Sequence, residues 1–146
     1  MRTILFCLAF LLLPAQAWSE TATFGDDEVQ YQVEIPENWE ESVQQHGIQL
    51  VSQDKNSALT VSLYKKDDLS LQSIYQVLPS RLDMTEVQKQ KKKNNNLEIV
   101  GNIKGVRVQI LFKDEDDYYL VIVSAGSQKE VIADCIASVK KNTNNS

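Results

Sequence analysis

The chain reads as an α+β domain: a mainly antiparallel sheet of about six strands with helices packed against it. Segments of period-two alternation, such as Val29 to Ile35 and Val106 to Phe112, follow one another largely in hairpin succession. Two further stretches carry apolar residues at helical spacing, one in mid-chain and one near the C-terminus. Short polar segments separate most of these elements.

Residues 1–17 stand apart from the domain. Arg2 precedes an apolar run from Ile4 to Leu13, Pro14 interrupts it, and Ala15-Gln16-Ala17 offers the small-x-small pattern of a signal peptidase site. The run is shorter than the roughly 20 residues that span a bilayer. We therefore expect a cleaved secretion signal, cleavage after Ala17, and a periplasmic or secreted protein with no transmembrane segment in the mature chain. Residues 18–141 then form a single α+β domain, and 142–146 a disordered tail. With Arg2 gone, 14 Lys and Arg face 20 Asp and Glu, a net charge of −6. An acidic domain is a poor partner for the phosphates of nucleic acid or of anionic lipid.

In 29–35, Val29, Tyr31, Val33 and Ile35 share one face and Gln30, Gln32 and Glu34 the other, which describes a half-buried strand. Pro36 ends it, since proline cannot donate to a ladder. After an irregular piece come strands at 48–52 and 58–64, joined by the turn Gln53-Asp-Lys-Asn-Ser57. Asp68 or Ser70 can cap a helix whose inner face is Leu71, Ile74, Tyr75, Leu78 and Leu82. Pro79 either kinks that helix or ends it near Leu78. The run Lys89 to Asn96 reads as a solvated, mobile loop rather than a nucleic-acid patch, because its lysines lack arginine or aromatic neighbours.

Strands follow at 97–103, 106–112 and 118–125. The last is almost continuously apolar, as suits a central strand covered on both sides. Asp114, Glu115, Asp116 and Asp117 form an acidic hairpin tip without the spaced ligands of a calcium loop. Ser127 to Glu130 has the form of a capping box, opening a final helix whose apolar face is Val131, Ile132, Cys135, Ile136 and Val139. Lys140 and Lys141 would end it favourably against the helix dipole.

Catalytic chemistry is sparsely provided for. His46 is the single histidine, and Cys135 is the single cysteine outside the signal, expected to be a buried small hydrophobe. Neither a serine-type triad nor a zinc site can be assembled from them. No phosphate-binding glycine loop occurs, and the carboxylates lie on turns and strand edges. We expect no enzymatic activity and no cofactor.

A strand ending in Ile35-Pro36-x-x-Trp39, a hairpin carrying Ser62-Leu63-Tyr64, an amphipathic helix, then "VGNIKGVRV" (99 is followed by Val100 to Val108) and a terminal helix ending in "IASVK" make up a recurring order. In this the chain resembles the PsbP-like superfold, particularly the small periplasmic DcrB-type proteins, over about residues 22–141. The resemblance implies an α/β/α sandwich around a curved antiparallel sheet, and proteins that work through their surfaces without an active site. DcrB-type proteins often carry a lipid-attachment cysteine, which this chain lacks after its signal.

The expected function is that of an accessory or binding protein, a monomer engaging another protein. The candidate surfaces are an acidic rim (Glu37, Glu40, Glu41, Asp114, Glu115, Asp116, Asp117) and the basic loop with Lys91, Lys92 and Lys93. One alternative is an immunity or inhibitor protein whose acidic surface blocks a toxin-like enzyme. Another is a carrier of a small apolar ligand or lipid, which needs a cavity of roughly 300 Å³ or more. Trp39 and Pro36 are assigned structural roles, Trp39 as a peg over the open end of the core while the neighbouring glutamates stay in water.

Overall fold

The computed structural model describes residues 20–143 apart from residue 69 and the side chain of residue 68. The predicted signal segment lies outside the described residues. Among the described residues the fold is α+β, with ten antiparallel strands in two sheets and two α-helices. A seven-stranded sheet has the order β3 (Trp39–Gln44), β4 (Gly47–Ser52), β5 (Ser57–Lys65), β9 (Tyr118–Gly126), β8 (Val106–Glu115), β7 (Leu97–Ile103) and β6 (Thr85–Lys91). A smaller sheet joins β1 (Glu20–Gly25), β2 (Gln30–Ile35) and β10 (Lys140–Lys141). Helix α1 (Leu71–Arg81) connects β5 to β6, and α2 (Lys129–Ser138) connects β9 to β10.

The large sheet is buried on both faces, but by different layers. On one face Leu71, Ile74, Tyr75 and Leu78 of α1 cover Leu97, Ile99, Ile110 and Phe112 of β7 and β8. Tyr75 meets Phe112 edge to face, with centroids 6.4 Å apart. On the other face Ile48, Leu50, Leu59 and Val61 of β4 and β5 meet the small sheet (Phe24, Tyr31, Val33) and Ile132 and Cys135 of α2. β9 is the middle strand and serves both: Leu120 and Ile122 face the second layer, Val121 and Val123 the first. The near-continuous apolar run of that strand is thereby explained.

Four strands were not expected from the sequence: β1, β3, β6 and the short β10. β1 contributes only Ala22 and Phe24 to the core, too few for a periodicity signal, and is held by pairing with β2, where Phe24 stacks on Tyr31 at 6.1 Å. β3 was expected to be irregular, yet it pairs with β4 from Trp39↔Ser52 to Gln44↔Gly47. It is an edge strand and buries only Trp39, so its other residues are polar or exposed on both faces. β6 takes in Lys89 to Lys91, placed by the sequence in a loop. All seven of its residues are exposed, so burial left no alternating mark. The chain turns only beyond it, with Asn94 and Asn95 both at φ 60°.

Local chemistry accounts for the joins. Asn38 (φ 63°) takes the left-handed position after Pro36, and Trp39 N–H returns to the Pro36 carbonyl at 3.2 Å. Lys104 and Gly105, both at positive φ, make the two-residue link between β7 and β8, where Ile103 faces Val106. The sequence ended β8 at 112; it runs to Glu115, so only Asp116 and Asp117 form the turn.

Helix α1 passes through Pro79 to Arg81, with Ser70 as its N-cap. The proline sits three residues from the end, where it removes only the bond to the Tyr75 carbonyl. A Schellman motif closes the helix: Met84 N–H bonds the Pro79 carbonyl at 2.9 Å and Asp83 N–H bonds Ser80 at 3.3 Å, with Asp83 left-handed (φ 50°).

The capping box expected at Ser127 does not form. Gln128 is the N-cap, without a side-chain bond to the helix, because its amide carbonyl is engaged by Trp39 and its N–H by Ser57 Oγ at 3.1 Å. Nor do Lys140 and Lys141 end α2. The helix stops at Ser138, and the lysines pair as β10 with Gln32 and Tyr31. Asn142, placed in the tail by the sequence, extends this contact through its N–H to the Gln30 carbonyl at 2.7 Å. Just beyond β10 the same edge of β2 is met by α2: Glu34 N–H donates to Ser138 Oγ (3.0 Å), and Cys135 Sγ donates to the Glu34 carbonyl (3.3 Å). The helix and β10 together cover an edge that would otherwise invite another strand.

Candidate functional site

The acidic residues grouped by the sequence do not form one surface. Glu37, Glu40 and Glu41 stand at the start of β3, level with Ser52 and hence with the end of β5 where Ser57 faces Gly126. Asp114 to Asp117 sit at the β8–β9 hairpin, at the other end of β5 where Lys65 faces Tyr118. Nearly the whole length of β5 separates them. Glu40 is bonded to Lys55 at 2.8 Å on an exposed face. Asp114 is ion-paired with Lys66, whose ammonium also lies 5.2 Å over the Tyr119 ring. That hydrogen bond to Asp114 raises the Lys66 pKa.

The basic residues are brought to a defined place. Lys91 and Lys92 line an open depression of about 530 Å³ with Lys66, Ser70, Asn95 and Tyr119, while Lys93 begins the following turn. Lys92 reaches the nearly buried Glu98 at 3.3 Å. Gln109 donates to the other Glu98 oxygen at 2.7 Å and accepts from Ser124 at 3.4 Å. This polar chain satisfies Glu98 and fixes the turn after β6 to the sheet.

Trp39 is 8% exposed, belongs to the core shared with the small sheet, and donates Nε1–H to Gln128 Oε1 at 3.3 Å. It is a buried peg with its polar handle at the edge of an open depression that Glu37, Asn38, Asp54 and Gln128 also line. Pro36 marks the end of β2, as expected.

A further surface was not singled out in the sequence. Among the described residues six large apolar side chains are well exposed, and four of them, Val77, Leu82, Val87 and Val106, belong to one corner of the molecule. There α1 ends, β6 begins and β7 turns into β8. Met84 and Val87 approach Gly101 on β7, and Val106 faces Ile103 across the turn. The two arginines of the described residues flank this corner from opposite faces of the sheet, Arg81 on the α1 side and Arg107, next to Val106 in β8, on the other. Arg81 lines a groove of about 170 Å³ with Ile74, Val77 and Leu78. Arg107 lines an open depression with Glu86, Val87, Gln88 and Asn102, where Asn102 holds the Glu86 carboxylate at 2.7 Å. Among the described residues neither arginine has an ion-pair partner. One signal was available in the sequence: Val77 falls off the apolar stripe of its helix.

Groups with catalytic potential are dispersed. His46 is exposed in the β3–β4 turn beside Tyr64, their rings 6.1 Å apart. Cys135 is buried, and burial pushes its thiol up to about 12, with the nearby Glu34 adding to the effect, so it stays protonated at neutral pH. Among the described residues no group of three His, Cys, Asp or Glu is placed to hold a metal ion, and no helix is long and apolar enough to cross a membrane.

No family model matches the chain, and no curated protein matches it in sequence. A solved structure does match in shape: the solution structure of cyanobacterial PsbP (CyanoP) from Synechocystis sp. PCC 6803, with a TM-score of 0.56. The match covers 89% of this chain and 97% of the other, at 8% sequence identity. At that identity the likeness shows the fold alone. The domain has a PsbP-like fold.

Proposed function

We propose that this is an exported, non-enzymatic accessory protein, of the DcrB type in its periplasmic setting, which binds another protein through the corner between α1 and the β7–β8 turn. The observation that carries the reading is the concentration there of Val77, Leu82, Val87 and Val106 beside the unpaired Arg81. Exposed apolar side chains scattered singly need no explanation, but a group of them with an arginine at its rim has the composition of a protein interface. Lys104 adds a second cation in the adjoining turn. The complementary partner presents apolar side chains flanked by carboxylates.

Against an apolar-ligand carrier stands the size of the groove with apolar walls, about 170 Å³, while the larger depressions are open and mixed in polarity. The acidic blocker of a toxin-like enzyme loses support from the division of its carboxylates between two ends of the sheet.

A photo-crosslinking residue at position 106 tests the proposal in cells. It should yield one discrete adduct with a second protein, abolished by Leu82→Asp, while the same residue at position 60 on β5 yields none. Equal adducts from both positions, or an adduct indifferent to Leu82→Asp in a folded variant, would remove the corner as the binding surface.

A further inference from the structure

The two strands that end the seven-stranded sheet are charged in opposite senses. β3 with its lead-in turn carries Glu37, Glu40 and Glu41 and no cation. β6 and the residues just past it carry Lys89, Lys91, Lys92 and Lys93, with Glu86 at its bulged start. Residues 40–44 of β3 and the whole of β6 are exposed. Some of these charges are engaged within the chain: Glu40 with Lys55, Lys92 with Glu98, and Lys89 over the Tyr75 ring at 4.9 Å. Among the described residues Glu41, Lys91 and Lys93 have no partner.

An open strand edge offers its unpaired N–H and C=O groups to any other strand, and like charges along it repel a second copy of the same edge. β6 against β6 and β3 against β3 are both disfavoured in this way. The opposite signs leave one pairing unprotected and make it attractive. We infer that the chain associates head to tail with further copies of itself, the acidic β3 edge of one adding to the basic β6 edge of the next.

The topology gives this contact a particular consequence. Every neighbouring pair in the seven-stranded sheet is antiparallel, so the first and seventh strands run in the same direction. The joined surfaces differ, so the contact is heterologous and each added copy leaves both kinds of edge free at the ends. Pairing on β6 is regular only over Gln88–Lys91, because the register shifts between Thr85 and Gln88. So short a contact falls well below the roughly 1,200 Å² of a stable interface, and the association is reversible and dependent on concentration.

Sedimentation velocity over a wide concentration range, at low and high salt, tests this with two folded charge-reversal variants. The wild-type protein should grow in average mass beyond that of a dimer at low salt, and the growth should disappear as salt screens the edges. Glu40→Lys/Glu41→Lys has two basic edges and Lys89→Glu/Lys91→Glu two acidic ones, so each alone should remain monomeric. Their equimolar mixture restores both complementary contacts and should associate as the wild type does. A wild-type protein that stays monomeric at millimolar concentration and low salt overturns the inference. So does association of either variant alone, or a mixture that fails to recover. None of the four substitutions touches Leu82 or Val106, so failure here leaves the corner proposal standing.

Discussion

Replacing Trp39 by alanine tests the connection between the two sheets. The indole is 8% exposed and lies where the turn from β2 delivers the chain into β3. A tryptophan of this kind removes about 150–250 Å² from water, worth roughly 4–6 kcal/mol at 25 cal/mol/Å². Alanine keeps the Cβ and the site relaxes in part, which brings the expected loss to about 3–5 kcal/mol. The hydrogen bond to Gln128 adds little, because the freed Gln128 carbonyl can turn to water in the adjoining depression. For a domain of this size each kcal/mol moves the midpoint by about 4 °C, so the melting temperature should fall by about 12–20 °C. Urea unfolding followed by far-UV circular dichroism gives the free energy without relying on the deleted fluorophore. Trp39→Phe keeps most of the apolar surface and loses the N–H, and should cost about 1–2 kcal/mol. A loss below about 1 kcal/mol for the alanine variant would refute the peg and turn the indole into a candidate ligand contact.

Cys135 should resist thiol reagents at pH 8 in the native state and react once the protein is unfolded, read as the rate of modification with and without denaturant. Cys135 and Tyr31 are both pushed up to about 12, chiefly by burial, from ordinary values of 9.0 and 10.0. Raised acids of this kind leave stability intact below the unfolded value, and it is lost as pH rises from about 9 towards 12, on the order of a few kcal/mol. Cys135→Ala should flatten the lower part of that decline; an unchanged profile would show that the thiol does not contribute. Asp83→Gly relieves a left-handed residue in the Schellman motif and should stabilise by about 0.5–1 kcal/mol, measured by urea unfolding, with a net loss counting against the strain. Gly47→Ala should destabilise by about 1–3 kcal/mol or more, since a Cβ there would strike the Val61 carbonyl on β5; a neutral thermal shift would show that the strands can part.

The sequence made the buried part of the fold legible and little else. β2, β4, β5, β7, β8 and β9 were all found, because each alternates or runs apolar in response to a layer packed on it. Both helices were found from their inner stripes; the course of α1 through Pro79 was left open, and the two ends of α2 were misjudged. Ser127 to Glu130 satisfies the pattern of a capping box, but a tertiary contact decided otherwise: Ser57 and Trp39 draw Gln128 into the cap position. Lys140 and Lys141 look like cations placed for the dipole, yet the open edge of β2 captured them as a strand. In each case a local rule gave way to a partner that lies far off in sequence.

β3 and β6 escaped detection for a reason that bears on function. Periodicity reports burial, and these strands bury almost nothing: β3 inserts one tryptophan, and β6 inserts no side chain at all. Of the residues the sequence offered as candidate surfaces, Glu37, Glu40, Glu41 and Lys91 to Lys93 fall on those strands or beside them, while Asp114 to Asp117 lie at the β8–β9 hairpin. A strand held only by its backbone on one side keeps its other backbone edge and its side chains for another molecule. The features that make it invisible as structure, polar on both faces and charged with one sign, also decide which strand it can accept. The corner at Val106 follows the same logic from the apolar side. Val106 sits at a position where the alternating pattern of β8 promises burial, but α1 ends too soon to cover it. There the sequence predicts a core and the fold leaves it open, and that mismatch is the physical ground for expecting a partner to complete it.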